Sequence, residues 1–403
     1  MRITDGCQVK KILWSLDVLI LVPGAFSGRP FGFCIFVCPR LIRVLRAIRG
    51  KNFWFPLSIR VLLFHPWLRS RFLALPSLRR NVLPPLNAGK AAFTVQACPS
   101  MDSGQKQRPP VGVVIVNHNL KDSLRETILS FKKVNYPGLE IVVSDNASKD
   151  GSLEMLRSEF PEVHLLAHEK ELGYGKAASL GLEFFAHKTK YIFSTTNDVI
   201  VDPEIINILV DHAEKDPQAA VLGCKIFYYG KDDLLWGAGA RIHPLHGHSY
   251  HFGWNRKDHP RYNHIRECDF VTGCGYLLRS DVVRKLDYFK SDLIFCCEDA
   301  DYCYRAREAG YKIMYIPAAR MWHKTSTTLA KNRSMQLYYS TRNSLYMIQR
   351  HRIGFYPLSL WVHFLMVCPF KMALFGLFLQ PKNSFGILRG MRDWKRGKLG
   401  WMG

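Results

Sequence analysis

From residue 111 onward, short unbroken apolar runs alternate with longer stretches whose apolar positions recur every three to four residues. Residues 111–116 are apolar throughout, which predicts a strand covered on both faces. Leu124, Ile128 and Phe131 follow at helical spacing, and Ser123 with Glu126 reads as a capping box at that helix start. A second strand over 139–144 precedes a helix that turns Leu153, Leu156 and Phe160 inward. A third strand, 163–167, leads through Gly173-Tyr174-Gly175 into a helix over about 176–187. The fourth begins at Tyr191-Ile192-Phe193 and reaches a second apolar step, Val199-Ile200-Val201. Asp202-Pro203 then supplies an N-cap and a proline at the first helical position. Four such alternations with short connections predict an α/β fold, a mostly parallel doubly wound sheet with helices on both faces.

The polar residues fall where such a sheet binds ligands. Asn117-His118-Asn119 ends the first strand, Asp145 to Ser152 the second, and Asn197-Asp198 the fourth. Parallel strands bring these ends to one rim, at the C-terminal edge of the sheet. A single aspartate there also serves as a turn cap; three polar tips on one rim point to a ligand site.

Beyond residue 219 the pattern becomes strand-like with glycines, to about 242. Six histidines follow (His243, His246, His248, His251, His259, His264) without a helical H-x₃-H pair, which favours a solvated loop over a metal site. Residues 269–278 form another strand, and Ser280 caps a short helix. Cys296-Cys297-Glu298-Asp299-Ala300-Asp301 opens a helix stopped by Gly310; acids in a first turn also suit the helix dipole alone. A final strand, 312–316, precedes Trp322-His323. The tail holds a helix over 337–352 and a mostly apolar stretch, 355–379, broken by His363, Pro369 and Lys371. That stretch is marginal for a membrane span and suits an interfacial or re-entrant helix pair, with Arg389, Arg392, Lys395, Arg396 and Lys398 meeting anionic lipid.

Charge adds a partner class. The 403-residue chain carries a formal net charge of +23. Residues 1–100 hold only two acids, Asp5 and Asp17, against many Lys and Arg. The excess suits anionic lipid or a diphosphate; no nucleic-acid-binding signature accompanies it, and nucleic acid is not expected as a partner. The 11 cysteines show no paired zinc spacing, which suggests free thiols in a reducing compartment. Residues 1–100 mimic a transit peptide or a basic membrane-surface segment; the favoured reading starts the folded protein at Met101 and leaves the upstream part poorly ordered or not native. Three parts follow: the extension 1–100, an α/β domain 101–330 and a membrane-associated helical region 331–403.

The residues of the rim also carry a resemblance. Residues 110–330 resemble glycosyltransferase family 2, with the nucleotide-sugar GT-A fold, and in particular its bacterial rhamnosyltransferase-like branch. The segments are VVIVNHN, SDNASKDGS, ELGYGKAASLGL, TTNDVIVDP, CEDADYCYRAREAGYKI and the YYSTRNSLY run at Tyr338 to Tyr346. The resemblance implies an inverting, metal-dependent transfer of a sugar, such as rhamnose, from a nucleoside-diphosphate donor to a lipid-linked or cell-envelope glycan. It implies a cytoplasmic enzyme, peripheral on the inner face of the plasma membrane. A divalent ion, Mg²⁺ or Mn²⁺, neutralises the leaving diphosphate; Asp198 is the first-choice ligand and His323 the second, against a reading of His323 as a core residue beside Trp322. Asn117, Asn119, Asp145, Asn146 and Asn197 are expected on the donor, with Lys176 and the backbone at Gly173 on the diphosphate. Asp299 is expected as the general base, with Glu298 the second choice, while Asp301 points elsewhere on the helix. Thr196 stands where the family has its first metal-binding Asp, and residues 286–292 depart from the usual acceptor-side lead-in. Two other classes remain at this stage: a degenerate, non-catalytic membrane scaffold and a nucleotidyltransferase.

Overall fold

The computed structural model describes residues 108–325, 332–377 and 380–402, together with the backbone of 19–23 and 33–37. The chain divides into two compact units, Met1–Gln105 and Lys106–Gly403. In the first, β1 (Leu19–Pro23) and β2 (Phe33–Val37) pair antiparallel. The expected disorder or non-native character of 1–100 otherwise falls outside the described residues.

The second unit is built on four parallel strands. β3 (Val111–Asn117), β4 (Leu139–Asp145), β5 (His164–Ala167) and β6 (Tyr191–Thr196) lie in the order β5-β4-β3-β6. Every residue of β3 is buried. Val111, Val113 and Ile115 join one apolar layer with Leu124, Ile128 and Phe131 of α1 (Lys121–Phe131). Val114 and Val116 face the opposite layer, with Ala177, Leu182 and Phe185 of α3 (Tyr174–Ala186). Two-sided burial explains the unbroken apolar run of this strand. Between α1 and α3 lies α2 (Ser152–Glu159). α1 begins earlier than its capping-box pattern suggested: its first N–H, on Lys121, is capped by Asp150 Oδ2 at 2.7 Å. A residue from the next loop does the work assigned to Ser123.

The sheet is mixed rather than mostly parallel. β7 (Val199–Val201) leaves the line of β6 and pairs antiparallel with β15 (Lys312–His323). After α4 (Ile205–Lys215), β8 (Ala219–Tyr228) turns at Gly230 into β9 (Lys231–Gly237). Short strands follow: β10 (Ala240–Ile242), β11 (Ser249–His251), β12 (Arg256–Lys257) and β13 (Arg266–Glu267). β14 (Gly275–Arg279) inserts between β6 and β8, antiparallel to both, and β15 runs parallel to β8. The tight turn at Gly230 is too short for a crossover, so β9 returns antiparallel beside β8.

α5 (Ser280–Lys285) and α6 (Glu298–Glu308) complete the sheet's cover. α7 (Arg333–Arg350), the apolar α8 (Leu358–Leu377) and α9 (Pro381–Lys395) follow within the same compact unit. Among the described residues seven cysteines are free thiols.

Candidate functional site

In-register pairing sets the rim. Asn117 lies opposite Asp145, and Val116 opposite Thr196, so three strand tips end level. A buried polar network ties them together. Asn117 Nδ2 donates to Asp145 Oδ2 at 2.6 Å, and its Oδ1 accepts from Asn197 Nδ2 at 2.5 Å. Asn197 Nδ2 also reaches the carbonyl of Asn119 at 2.7 Å. Asp145 Oδ1 accepts the Ser148 N–H at 2.9 Å. Asn119 takes the left-handed φ of 58° and receives the Lys149 N–H on its Oδ1. Asn146 Oδ1 accepts the Leu172 N–H at 2.7 Å, which fastens the loop before α3 to the end of β4. Asp145 and Asn117, expected on the donor, are fully buried and bonded to each other, so their side chains shape the rim loops instead of meeting solvent. Gly173, at φ 81°, carries the chain into α3; a Cβ there would meet the Ile294 carbonyl at 2.8 Å. Lys176 is exposed on the first turn of α3.

The departure of β7 from β6 produces the second cluster. Val199 pairs with His323, and Asp198 therefore sits beside the histidine. Asp198 Oδ2 and His323 Nε2 are 3.1 Å apart, and Thr196 Oγ1 donates to Asp198 Oδ1 at 2.7 Å. Burial works against charging the His323 ring, but the Cys274 sulfur and the Asp198 carboxylate outweigh it and hold its pKa above the ordinary value. Trp236 meets the ring edge-on at 5.1 Å between centroids. Among the described residues no three His, Cys, Asp or Glu side chains are grouped to hold a metal. A carboxylate and an imidazole fit a divalent ion that takes its other ligands from phosphate oxygens and water, and do not fit one caged by protein alone.

The third cluster opens α6. Asp299 is half-buried; its Oδ2 accepts the Gly273 N–H at 2.8 Å and its Oδ1 the Ala300 N–H at 2.7 Å. Burial raises its pKa while those N–H groups lower it, and the net direction is up. Glu298 is 7% exposed, and its Oε2 has no hydrogen-bond partner among the described residues. Burial, helped by the adjacent Asp299 charge, pushes its carboxyl to about 8. Asp301 points away, to Arg305 at 2.8 Å and His351 at 3.1 Å.

The Thr272-Gly273-Cys274-Gly275 turn joins the second and third clusters. Gly273 binds Asp299, the Cys274 sulfur lies 3.9 Å from both His323 ring nitrogens, and Thr195 Oγ1 donates to the Cys274 carbonyl. Sequence reasoning missed this turn; two glycines at the mouth of a strand were its signal. It also missed α7. Asn343 Nδ2 lies 2.8 Å from each of the carbonyls of Leu293, Phe295 and Cys296, the loop before α6. Arg342, fully buried, reaches the Asp292 and Gly400 carbonyls.

Residues 109–337 match the family model described as glycosyltransferase like family 2. An N-acetylglucosaminyl-diphospho-decaprenol L-rhamnosyltransferase of Mycobacterium tuberculosis is 22% identical over 260 residues, 59% of this chain and 84% of that one. A poly-beta-1,6-N-acetyl-D-glucosamine synthase of Staphylococcus epidermidis is 20% identical over 228 residues, 56% of this chain. The match spans about half of that synthase, 53% of its length. Among solved structures, a mannosyltransferase from Pyrobaculum calidifontis in complex with GDP-Man and Mn²⁺ is 12% identical at a TM-score of 0.48, over 73% of this chain and 89% of that one.

Proposed function

The chain belongs to glycosyltransferase-like family 2, and on that premise we propose that it is an inverting, metal-dependent transferase of the GT-A type. It moves a sugar, rhamnose in the leading case, from a nucleoside diphosphate to a lipid-linked or cell-envelope glycan, on the cytoplasmic face of the plasma membrane. The observation that carries this reading is the Gly273–Cys274 turn, which ties a half-buried carboxylate, Asp299, to the Asp198–His323 pair.

Asp299 takes the proton from the acceptor hydroxyl as that oxygen attacks the anomeric carbon. The bond from that carbon to the diphosphate oxygen breaks on the opposite face, and the nucleoside diphosphate leaves. Its raised pKa makes Asp299 a better proton acceptor, while the two N–H groups fix its direction. Glu298, buried and held neutral near pH 7, is less suited to that role and packs against Gly175 at the start of α3. Asp198 and His323 would hold Mg²⁺ or Mn²⁺, which supplies charge neutralisation to the departing diphosphate. Asn117, Asn119, Asp145, Asn146 and Asn197 shape the donor pocket. Lys176 and the N-terminal N–H groups of α3 face the diphosphate.

The test is thermal stability of the purified protein with uridine, deoxythymidine and guanosine diphosphates, each with and without Mn²⁺. A metal-dependent rise for one nucleotide is expected, because a ligand of the folded state raises the melting temperature. No rise with any of them would favour a non-catalytic scaffold, the reading that Thr196 in place of an aspartate supports.

A further inference from the structure

A second concavity lies at the far end of the helix that carries Asp299. Its volume is about 400 Å³, and Arg241, Arg307, Arg352, Tyr250 and Tyr304 line it. Arg307 stands eight residues beyond Asp299, about 12 Å along the helix at 1.5 Å per residue, so this is not the rim site. Arg307 pairs with Asp269 at 3.2 Å. Arg241 and Arg352 have no carboxylate partner among the described residues and are exposed. Three arginines around one concavity, set against the single lining carboxylate of Asp269, can offer guanidinium forks to phosphate oxygens.

The chain that forms this wall runs directly into apolar surface. Three residues after Arg352, Phe355 is 64% exposed, and its N–H is fixed to the Pro244 carbonyl of the opposite wall at 2.9 Å. Leu358, Trp361 and Leu365 follow at i, i+3 and i+7 on α8, each more than half exposed. Only 22% of the apolar stretch of α8 is buried within the protein. A continuous apolar face of this kind is unusual on a surface meant for water. Basic groups beside aromatic and aliphatic side chains match the layered chemistry of a bilayer surface.

We propose that this concavity binds the phosphate of an anionic bilayer lipid, with Phe355, Leu358, Trp361 and Leu365 seated among the acyl chains beside it. The placement rests on the membrane-surface reading above, but binding needs neither donor nor transfer. The site would fix the distal end of α6 at the bilayer and leave Asp299 one helix length away, within reach of a lipid-linked acceptor.

The test is flotation of the full chain with phosphatidylcholine vesicles, with or without one third phosphatidylglycerol. We expect preference for the anionic vesicles, reduced about five- to thirtyfold by Arg241→Gln/Arg352→Gln, with the remaining binding to phosphatidylcholine intact. Arg241→Lys/Arg352→Lys keeps the charge and removes the forks; a loss of at least about threefold is expected if the cavity is a built site. Full preference in the lysine variant would overturn the site in favour of diffuse attraction. Binding of inorganic phosphate or glycerol phosphate by the protein without any preference for the anionic vesicles would overturn the lipid as its source. Leu358→Ser/Trp361→Ser should lower binding to both vesicle types; unchanged binding would overturn the apolar half. An unaltered melting temperature in each variant excludes unfolding as the cause. A transferase-dead protein that still floats would separate this proposal from the transferase reading.

Discussion

The Gly273 N–H donates to Asp299 Oδ2 at 2.8 Å, and this backbone bond ties the proposed base to the turn beside the Asp198–His323 pair. The other oxygen is held by the N–H of Ala300, so the carboxylate has little rotational freedom. Asp299→Asn retains the shape and removes the proton acceptor. Sugar transfer should fall by about 10²- to 10⁴-fold, the usual worth of a general base, with nucleotide affinity unchanged. Turnover within a few-fold of the parent in a product-release assay would remove Asp299 from the role.

The Asp198–His323 pair makes a separate prediction about metal. Asp198→Ala should weaken Mn²⁺-dependent nucleotide binding by at least about tenfold, and His323→Ala should do the same, while weak metal-free binding persists in both. Isothermal titration with and without Mn²⁺ reads the difference. Equal affinities with metal for parent and variants would return His323 to the core role first weighed beside Trp322, with Trp236 as its ring neighbour.

Glu298 gives a pH-dependent stability. Its carboxyl is pushed from 4.5 to about 8 by burial. The folded state therefore holds the proton more tightly than the unfolded chain between those values. The resulting stabilisation is complete below about pH 4.5 and is lost as pH rises through 8. Glu298→Gln stays neutral throughout. Its melting temperature should gain on the parent's from pH 5 to pH 9, by roughly 2–4 °C for each pKa unit of the shift that is realised. Parallel melting curves across that range would show that Glu298 is ionised in the folded protein.

Asn343 tests the loop before α6. Ile294, Cys296 and Cys297 have φ of 60°, 65° and 71°, a left-handed backbone that is costly for such residues. Three carbonyls of this loop converge on one amide. Asn343→Ala should cost about 2–4 kcal/mol in denaturant unfolding, because buried acceptors lose their donor. Partial proteolysis should shift to residues 292–297. A denaturation midpoint equal to the parent's would show that the loop holds itself.

Much of the rim was legible. The apolar runs placed β3, β4 and β6, and parallel pairing alone brings Asn117, Asp145 and Asn197 level. Strand ends are local signals. What escaped depends on pairing between distant segments. Nothing near Val199 announces that β7 will abandon β6 for β15, yet that exchange seats Asp198 against His323. The antiparallel insertion of β14 was equally hidden, and with it the turn that joins Asp299 to Cys274. The start of α1 was misplaced because its cap, Asp150, comes from another loop. Asn343 and Arg342 stood in a recognised stretch, but a helix sequence does not say which carbonyls its amides will meet.

The reach of Arg342 to the Gly400 carbonyl bears on where the second unit can be cut. The Gly400 N–H binds the Asp292 carbonyl at 2.9 Å, so the last described turn of the chain is stitched to the loop that leads to Glu298 and Asp299. The family match stops at residue 337. A protein trimmed at that boundary would retain every residue of the rim and lose Arg342, Asn343 and Gly400 together. Its proposed site would be whole in sequence and unsupported in space. The smallest portable version of this fold therefore runs at least through residue 400, tail helices included.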